Sequence, residues 1–230
     1  MPAYYARNTW VVIAAFNEAL AVGSVIGGLT SEGYRVIVVD DGSADATAVV
    51  AADHGAIVIK HPFNLGQGAA IQTGLEAALL NGAEFIVTFD ADGQHRASDV
   101  TQLVTALVKH RAHFALGSRF LGLPAVNLPP FRRVLLLLAA MFTRITSGLK
   151  VTDAHNGLRA MTRKGAQCIR LRQNRMAHAS EILNQIADCG LRYVEVPVTI
   201  EYNQYSMAKG QKSRDLLMIL LDLFARRLHQ

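Results

Sequence analysis

Short apolar runs recur along the first half of the chain and alternate with stretches of helical character. Five of these runs are strand candidates, namely Trp10 to Ala15, Arg35 to Val39, Ala56 to Ile59, Phe85 to Phe89 and Phe114 to Leu116. Apolar runs without in/out alternation are typical of strands buried on both faces, and the helices between them suit crossover connections. The pattern predicts an α/β fold built on a mostly parallel sheet.

The alternation of strands and helices weakens after Arg119. Three prolines between Gly122 and Pro130 predict an irregular loop. Beyond it the pattern predicts a helix from Val134, a polar stretch over 153–157, a helix near Glu181 and a late strand over 192–200. Because no repeat and no low-complexity linker interrupts the chain, we expect a single domain over residues 1–230.

Composition narrows the possible classes of protein. An apolar fraction of 51% over 230 residues excludes a disordered chain. The net charge of +5 fits an acidic partner, which the charge alone leaves open among nucleic acid, anionic lipid and a phosphorylated small molecule. Cys168 and Cys189 lack the paired spacing of a zinc site, and the first eight residues are too short and polar for a secretory leader. We therefore expect reduced thiols and a cytoplasmic protein.

The longest apolar run covers Val134 to Phe142, nine residues, whereas a bilayer-spanning helix needs about 20. We do not expect the chain to cross a membrane. Basic residues flank this run and a second one over 216–221: Arg132, Arg133 and Arg144 in the first case, and Arg214, Arg226 and Arg227 in the second. Such segments are either peripheral helices on an anionic membrane surface or core helices with solvated cationic ends, and periodicity does not separate the two.

Polar side chains follow each of the first four predicted strands. They are Asn17 and Glu18, Asp40 and Asp41, His61, and Asp90 and Asp92. Ligands of parallel α/β sheets bind at the carboxyl ends of the strands. We therefore expect these groups to converge on one rim of the sheet.

Asp90-Ala91-Asp92 directly follows the predicted strand over 85–89. Two carboxylates at one strand end offer hard oxygen ligands, which suit Mg²⁺ or Mn²⁺ holding a nucleotide diphosphate. The alternative is a simple chain reversal, since Asp and Gly are common turn residues. A helix-loop-helix calcium site is excluded, because His95 and Thr101 stand where that loop needs Gly and Glu.

Two further segments have both a ligand-binding and a structural interpretation. The carboxylates that follow the second strand could accept a hydrogen bond from a base or a ribose, or serve as caps and turn residues. Gly66 and Gly68 permit a close backbone approach to a nucleotide or to a neighbouring helix. A dinucleotide fingerprint is excluded, because Ile71 replaces its third glycine and the first strand is followed by Phe16-Asn17-Glu18.

Taken together, these segments resemble the inverting family-2 nucleotide-sugar glycosyltransferases of the GT-A fold, specifically the dolichyl- and polyprenyl-phosphate sugar transferases. Five motifs in one order carry the resemblance: residues 14–18, 39–43, 64–68, 89–95 and 117–119. It implies a GT-A domain with a nucleotide-sugar-binding half over 1–119 and an acceptor-binding half over 120–230. It also implies Mg²⁺ or Mn²⁺ as cofactor, a donor of the GDP-mannose or UDP-glucose type, and a polyprenyl phosphate acceptor.

The resemblance further implies roles for individual residues. The nucleotide-sugar set would be Ala15, Asn17, Glu18, Asp40, Asp41, Gly66, Gly68, Asp90, Ala91, Asp92 and Lys209, with Asp40 supporting its neighbours. Asp90, Asp92 and Gln94 would hold the metal, and Arg119 with Arg132 or Arg133 would meet the acceptor phosphate. The segment over 205–213 resembles a loop that folds over the diphosphate, but its Gly-Gln-Lys-Ser order leaves Lys209 and Lys212 both open for that contact.

The acceptor can also be judged from its chemistry. A sugar hydroxyl needs a positioned carboxylate base, whereas a phosphate monoester carries about −1.5 to −2 charges near neutral pH and needs cationic positioning instead. The roles that the resemblance implies make Asp92 and Arg119 the expected catalytic residues. Glu181 is the candidate base for a hydroxyl acceptor, and its alternative is a structural pair with Arg159 or Arg175.

These expectations define the partners. We expect a nucleotide sugar and a polyprenyl phosphate at the cytoplasmic membrane face, with recruitment by a membrane protein left open. Nucleic acid is not expected, since the basic residues lack aromatic interleaving and a recognisable module. A sugar-phosphate nucleotidyltransferase should carry a glycine-rich basic loop after the first strand, and Ala14 to Ala19 has none. A non-catalytic protein that binds nucleotide sugar or lipid is the remaining alternative.

Overall fold

A computed structural model describes residues 3–122, 130–174 and 177–201. In these ranges the strands are β1 (Thr9–Ala15), β2 (Arg35–Asp40), β3 (Ile57–Lys60), β4 (Phe85–Asp90), β5 (Phe114–Ser118), β6 (Arg159–Thr162) and β7 (Tyr193–Pro197). The helices are α1 (Ala3–Arg7), α2 (Val22–Ser31), α3 (Thr47–Asp53), α4 (Gln67–Leu80), α5 (Ala97–His110), α6 (Pro130–Ser147), α7 (Arg163–Cys168) and α8 (His178–Asp188).

The seven strands form one sheet in the order β3-β2-β1-β4-β6-β5-β7. The paired strands run parallel except at β6, which is antiparallel to β4 and β5. The strand order reverses between β1 and β4, and such a reversal opens a crevice at the carboxyl ends of the two strands. The predicted mostly parallel α/β sheet is confirmed.

The sheet is buried on both faces. Alternate residues of β1 belong to different cores: Val11 and Ile13 pack under α2 and α5, whereas Trp10 and Val12 pack under α4 and α8. Covering both faces explains why the strand sequences are apolar without alternation. It also fixes the strand ends, and so the rim that carries the polar residues.

The five early strands start and end within two residues of their predicted bounds, and β7, α6 and α8 lie where the pattern places them. The prediction omitted β6, as well as the short helices α1 and α7. The four residues of β6 start with a buried arginine, Arg159, so the sequence shows no apolar run there.

Helix α6 has two apolar faces. One face packs on Phe120 through Leu135, Leu136 and Ala139. The other exposes large apolar side chains: Val134, Leu137, Leu138, Met141 and Ile145. Within the described ranges, no helix combines the length and the apolar character that crossing a bilayer requires.

Several predicted features lie outside the described residues. They are most of the proline loop, the loop over 205–213 with Lys209 and Lys212, and the apolar run over 216–221. The division into a donor half and an acceptor half stays a prediction.

Candidate active site

A cavity of about 580 Å³ opens at the carboxyl ends of β1 and β4, where the strand order reverses. Residues from all five motifs border it. Its lining is Ala14, Ala15, Phe16, Glu18, Asp41, Asn64, Gly66, Gln67, Asp90, Ala91, Asp92, Gln94, His95, Arg119, His155, Gly157 and Ile200. The predicted convergence of polar groups on one rim is thus present in the structure.

The loops after β1 and β2 are joined by hydrogen bonds. Asn17 has a left-handed φ of 55°, its backbone N–H donates to Ser43 Oγ at 2.9 Å, and its side-chain oxygen accepts from the Ala44 N–H at 2.8 Å. The backbone N–H of Glu18 donates to Thr47 Oγ1 at 2.7 Å. Asn17 therefore shapes the rim without lining the cavity, while Glu18 is held on the cavity wall.

Asp41 organises the turn that starts α4. Its buried carboxylate accepts from the backbone N–H groups of Leu65 at 3.0 Å and Gly66 at 2.7 Å, and it lies 2.7 Å from His61 Nδ1. Asp40 lies behind the rim and accepts from the backbone N–H of Ser43 at 3.0 Å. Asp41 thus lines the cavity and also fixes the 64–66 turn. Ligand binding and turn formation are therefore compatible roles for this residue.

The two glycines at the start of α4 have different surroundings. Gly66 lines the cavity with a φ of 105°, which favours glycine. Gly68 is packed against the segment before α8: an added Cβ would lie 2.1 Å from the Gln173 carbonyl oxygen, and its own N–H donates to the Asn174 carbonyl at 2.8 Å. Close packing against the chain therefore accounts for Gly68, which does not line the cavity.

The Asp90 carboxylate is held from three sides. His95 Nε2 lies 3.0 Å from Oδ2, and Gln67 Nε2 donates to Oδ1 at 3.4 Å. Gly157 closes the third side, since a Cβ there would lie 2.3 Å from Oδ2. The ring of His95 is buried and meets Phe89 edge-on with 5.4 Å between centroids. Asp90 is thus fixed in orientation, with 31% of its side chain still exposed.

The two carboxyl groups have opposite electrostatic surroundings. Burial would raise the pKa of Asp90, but the His95 hydrogen bond and the charges of His95, Arg159 and His178 outweigh it and lower that pKa. Burial and the negative charge of Asp90 raise the pKa of Asp92 to about 6. A cation placed between these groups would relieve the cost of ionising Asp92.

The donor chemistry of the cavity suits Mg²⁺ or Mn²⁺ when substrate completes the coordination. Asp90, Asp92 and Gln94, whose side chains carry oxygen ligands, all line the cavity. In the described part of the chain, no three His, Cys, Asp or Glu side chains form a metal-binding group. Mg²⁺ is usually held by one or two carboxylates together with substrate phosphates and water, so the pair fits without an all-protein cage.

Arg119 reaches the cavity as part of a buried ion pair. Its Nε donates to Asp153 Oδ2 at 2.5 Å, and its Nη2 donates to the His155 carbonyl at 3.3 Å. Desolvation, partly opposed by the charge of Asp153, lowers the pKa of His155 to about 4, and its Nδ1 is buried without a hydrogen-bond partner. The polar stretch over 153–157 therefore positions the arginine and adds a neutral imidazole to the wall.

Glu181 lies away from the cavity. Its carboxylate accepts from the backbone N–H groups of Arg172 at 3.0 Å and Gln173 at 2.8 Å, and from Gln185 Nε2 at 3.2 Å. The expected pair with Arg159 is absent from the ion pairs of the described residues, and Arg175 lies outside them. Among the described residues, Glu181 anchors the loop before α8 and does not border the cavity.

The remaining predictions concern the acceptor arginines Arg132 and Arg133 and the donor-loop residue Lys209. Arg133 is exposed on α6 and does not line it, and the side chain of Arg132 and the whole of Lys209 lie outside the described residues. Groups at the site that were absent from the predicted set include Gln67, His95 and His155 on the cavity wall, together with Gly157 and with Asp153, which contacts Arg119. The compact Asp-Ala-His-Asn-Gly sequence was the available signal for the last two, because turn residues between elements often line sites.

Comparison with known proteins identifies the family of this chain and several relatives. The sequence model of "Glycosyl transferase family 2" matches residues 10–170. An uncharacterized protein of Methanocaldococcus jannaschii is 36% identical over 223 residues, covering 95% of this chain and 92% of its own. A UDP-N-acetylglucosamine–dolichyl-phosphate N-acetylglucosaminyltransferase of Methanococcus voltae is 32% identical, covering 87% and 88%. A polyprenol monophosphomannose synthase of Mycolicibacterium smegmatis is 28% identical, covering 88% and 81%.

Solved structures share the fold. Glucosyl-3-phosphoglycerate synthase of Mycobacterium tuberculosis, crystallised with Mn²⁺, UDP and phosphoglyceric acid, superposes with a TM-score of 0.71 at 22% identity. The alignment covers 96% of this chain and 79% of that one. The same enzyme was also crystallised with Mg²⁺ and UDP, and that structure gives a TM-score of 0.67.

Proposed function

The chain belongs to glycosyl transferase family 2 and is a glycosyltransferase, and from this premise we propose that it transfers a sugar, with inversion, from a nucleoside-diphosphate sugar to a polyprenyl phosphate. Relatives named for dolichyl phosphate and polyprenol monophosphomannose support the lipid acceptor. Neighbours crystallised with UDP and Mn²⁺ or Mg²⁺ support the metal and the kind of donor.

The donor would bind across the strand-order reversal. Glu18 and the turn fixed by Asp41 form the rim for the nucleoside. Asp90, Asp92 and Gln94 would hold Mg²⁺ or Mn²⁺ at the diphosphate, where a bound cation stabilises negative charge on the leaving group. His95, Gln67 and Gly157 keep Asp90 in place for that contact.

One observation carries the choice of acceptor. From Arg119 onward the described lining residues are Arg119, His155, Gly157 and Ile200, which include a cation and no carboxylate. Asp153 is ion-paired to Arg119, and a His155 with a pKa of about 4 is too weak a base to deprotonate a hydroxyl at neutral pH. This wall suits an acceptor that arrives already ionised. Phosphate meets that requirement and a sugar hydroxyl does not.

The chemistry then requires positioning more than proton transfer. An acceptor phosphate oxygen attacks the anomeric carbon from the face opposite the diphosphate, and the bond from that carbon to the diphosphate oxygen breaks with its electrons leaving on oxygen. Arg119, fixed by Asp153, would orient the acceptor for this attack. No group of the chain has to accept a proton.

The test is to incubate the full chain with UDP- and GDP-sugars, Mn²⁺ and a short-chain polyprenyl phosphate, and to weigh the lipid products. We expect one glycosylated lipid phosphate, and none after chelation with EDTA or with Asp92→Ala. The proposal is wrong if nucleotide is released only in the presence of hydroxyl acceptors, or if Asp92→Ala retains near-normal turnover with saturating donor and metal.

A further inference from the structure

His155 presents one nitrogen of its ring to the cavity. The residue is half-buried in the cavity wall, and its Nδ1 is buried without a hydrogen-bond partner among the described residues. Its Nε2 is not buried, and it also has no partner in the described part of the chain. Nε2 is therefore the atom of this side chain that is free to bond a ligand in the cavity.

The surroundings of the ring determine where its proton lies. Desolvation lowers the pKa of His155 to about 4 although the charge of Asp153 opposes it, so the imidazole is neutral near neutral pH. In folded proteins, buried N–H groups without a partner are rarer than buried acceptors without one. We therefore assign the proton to Nε2, which makes His155 a neutral hydrogen-bond donor toward the cavity.

His155 lies between the groups assigned to the two ends of the reaction. Its carbonyl accepts from Arg119 Nη2 at 3.3 Å, and its own backbone N–H donates to Asp153 Oδ1 at 3.3 Å. Two residues further along the chain, Gly157 lies against the carboxylate of Asp90. In-line transfer requires the sugar to lie between the diphosphate and the acceptor phosphate. The sugar ring is therefore expected beside His155.

A neutral N–H donor suits a hydroxyl better than the charged groups at the site. Phosphate oxygens form stronger hydrogen bonds with a cation, which Arg119 supplies in the same wall. A metal ion binds an imidazole through an unprotonated nitrogen, and the Nε2–H form has none that faces the cavity. A sugar hydroxyl accepts from the neutral donor without leaving a charge to be balanced. A fixed donor of this kind also discriminates against a sugar that lacks the matching hydroxyl.

We propose that His155 is a specificity-determining residue, whose Nε2–H donates a hydrogen bond to one hydroxyl of the donor sugar. The position of the sugar rests on the proposed function, but the contact itself forms before transfer and requires no acceptor. His155 thereby distinguishes a nucleotide sugar from its parent nucleotide, and sugars with this hydroxyl from sugars without it.

Calorimetric titration of the full chain with Mg²⁺ tests the contact without an acceptor. The probes are UDP, GDP and whichever of UDP-glucose, UDP-galactose, UDP-N-acetylglucosamine and GDP-mannose binds most tightly. His155→Leu should bind that nucleotide sugar about 3–10-fold more weakly than wild type, since one neutral hydrogen bond is lost, and should bind the parent nucleotide equally well. The matched control is His155→Gln, whose amide N–H takes the place of Nε2–H and should restore the affinity.

Deoxy analogues of the same nucleotide sugar identify the hydroxyl. Loss of that hydroxyl should weaken binding to wild type about 3–10-fold and leave binding to His155→Leu unchanged, because its partner is already missing. A second measurement uses the wild-type protein with ¹⁵N-labelled histidine. Its spectrum should show a neutral Nε2–H ring that shifts with Mg²⁺ and nucleotide sugar but not with Mg²⁺ and nucleotide, and that is absent from His155→Gln.

Equal affinity of wild type and His155→Leu for the nucleotide sugar overturns the proposal. So does an equal loss for nucleotide and nucleotide sugar, which would identify a contact with the diphosphate or the metal, and so do deoxy analogues that weaken binding to both proteins by the same factors. A chain that binds as expected but glycosylates no lipid phosphate retains the sugar contact and loses the proposed acceptor. Transfer to lipid phosphate with unchanged sugar affinity in His155→Leu retains the proposed function and overturns the contact. Binding of nucleotide with none of the nucleotide sugars overturns both.

Discussion

Asp90 and Asp92 belong to one cavity but have different environments. Asp90 is surrounded by hydrogen-bond donors and positive charge, which lower its pKa. Asp92 is half-buried beside the negative charge of Asp90, and its pKa is raised to about 6. Asp92 therefore carries most of the electrostatic cost of keeping two carboxylates together. A divalent cation is the ligand that removes this cost.

The first prediction concerns Asp92→Asn. Because the folded protein binds the Asp92 proton more tightly than the unfolded chain, its contribution to stability is complete below about pH 4 and is lost as pH rises through 6. At pH 7.5 the variant should be more stable than wild type by about 1–3 kcal/mol when both are measured in EDTA. It should be at least about a hundredfold less active when both are measured with Mn²⁺. Thermal unfolding from pH 4 to 8 measures the first effect. Equal stability at every pH would contradict it.

The second prediction concerns Gly157, whose added Cβ would lie 2.3 Å from Asp90 Oδ2. Gly157→Ala should displace that carboxylate and weaken Mn²⁺-dependent nucleotide binding about 10–100-fold, as changes beside a metal ligand do. Gly27→Ala is the matched control, because a Cβ there meets nothing within 4 Å and the residue is helical. Calorimetric titration with UDP or GDP distinguishes them. Equal affinity in both variants would show that Gly157 does not position Asp90.

The site residues that the sequence predicted and those that it missed differ in the kind of segment that carries them. Asp90, Asp92 and Glu18 lie within three residues of strand ends, so the position of the strand determined theirs. Asp153 and Gly157 belong to a segment without regular structure, and only the fold brings Asp153 to Arg119 and Gly157 to Asp90 at the cavity. No periodicity along the chain encodes such a contact.

Among the secondary-structure elements, β6 shows the limits of pattern reading. It inserts antiparallel between β4 and β5, although its sequence, Arg-Ala-Met-Thr, has no apolar run. Arg159 is accommodated by a hydrogen bond to the Ala154 carbonyl, and desolvation lowers its pKa to about 10 despite the opposing charges of Asp90 and Asp153. A buried arginine interrupts the apolar run by which a core strand is recognised in a sequence. The long apolar strands carry no such charge and were predicted closely.

The third prediction separates anchoring from catalysis at α8. Glu181→Gln should lower stability by about 1–3 kcal/mol, because it weakens charge-assisted hydrogen bonds to the backbone of Arg172 and Gln173. The kcat for transfer should stay within about threefold of wild type. Denaturant unfolding and initial rates measure the two effects. A variant with wild-type stability and abolished transfer would instead identify Glu181 as the base for a hydroxyl acceptor.

At the scale of the whole molecule, the order of strands in the sheet determines where the candidate active site lies. Helices cover both faces, and the reversal between β1 and β4 leaves one polar opening among strand ends. The sequence predicted this opening because the strands and their terminal residues follow one another in order. Apolar patterning could not predict that β6 inserts between β4 and β5 or that His155 reaches the same opening, and Arg119 was expected there only from the family resemblance.

The fourth prediction is that nucleotide and metal stabilise the protein only together. Mn²⁺ with UDP or GDP at about a hundred times the dissociation constant should raise stability by about 2.7 kcal/mol, a Tm increase of several degrees for a chain of this size. Each alone should give a much smaller shift, because the protein contributes only part of the coordination. Asp92→Asn should abolish the joint effect. A full shift with nucleotide in EDTA would contradict metal-mediated donor binding.

The most direct test of the central claim compares a short-chain polyprenyl phosphate with the same polyprenol lacking phosphate, using one donor and Mn²⁺. The account predicts that the phosphate is glycosylated at least about a thousandfold faster, since the described lining from Arg119 onward offers a cation and no carboxylate base for a hydroxyl. The product should have the anomeric configuration opposite to that of the donor. Equal rates for the two lipids, or glycosylation of the alcohol alone, would contradict it.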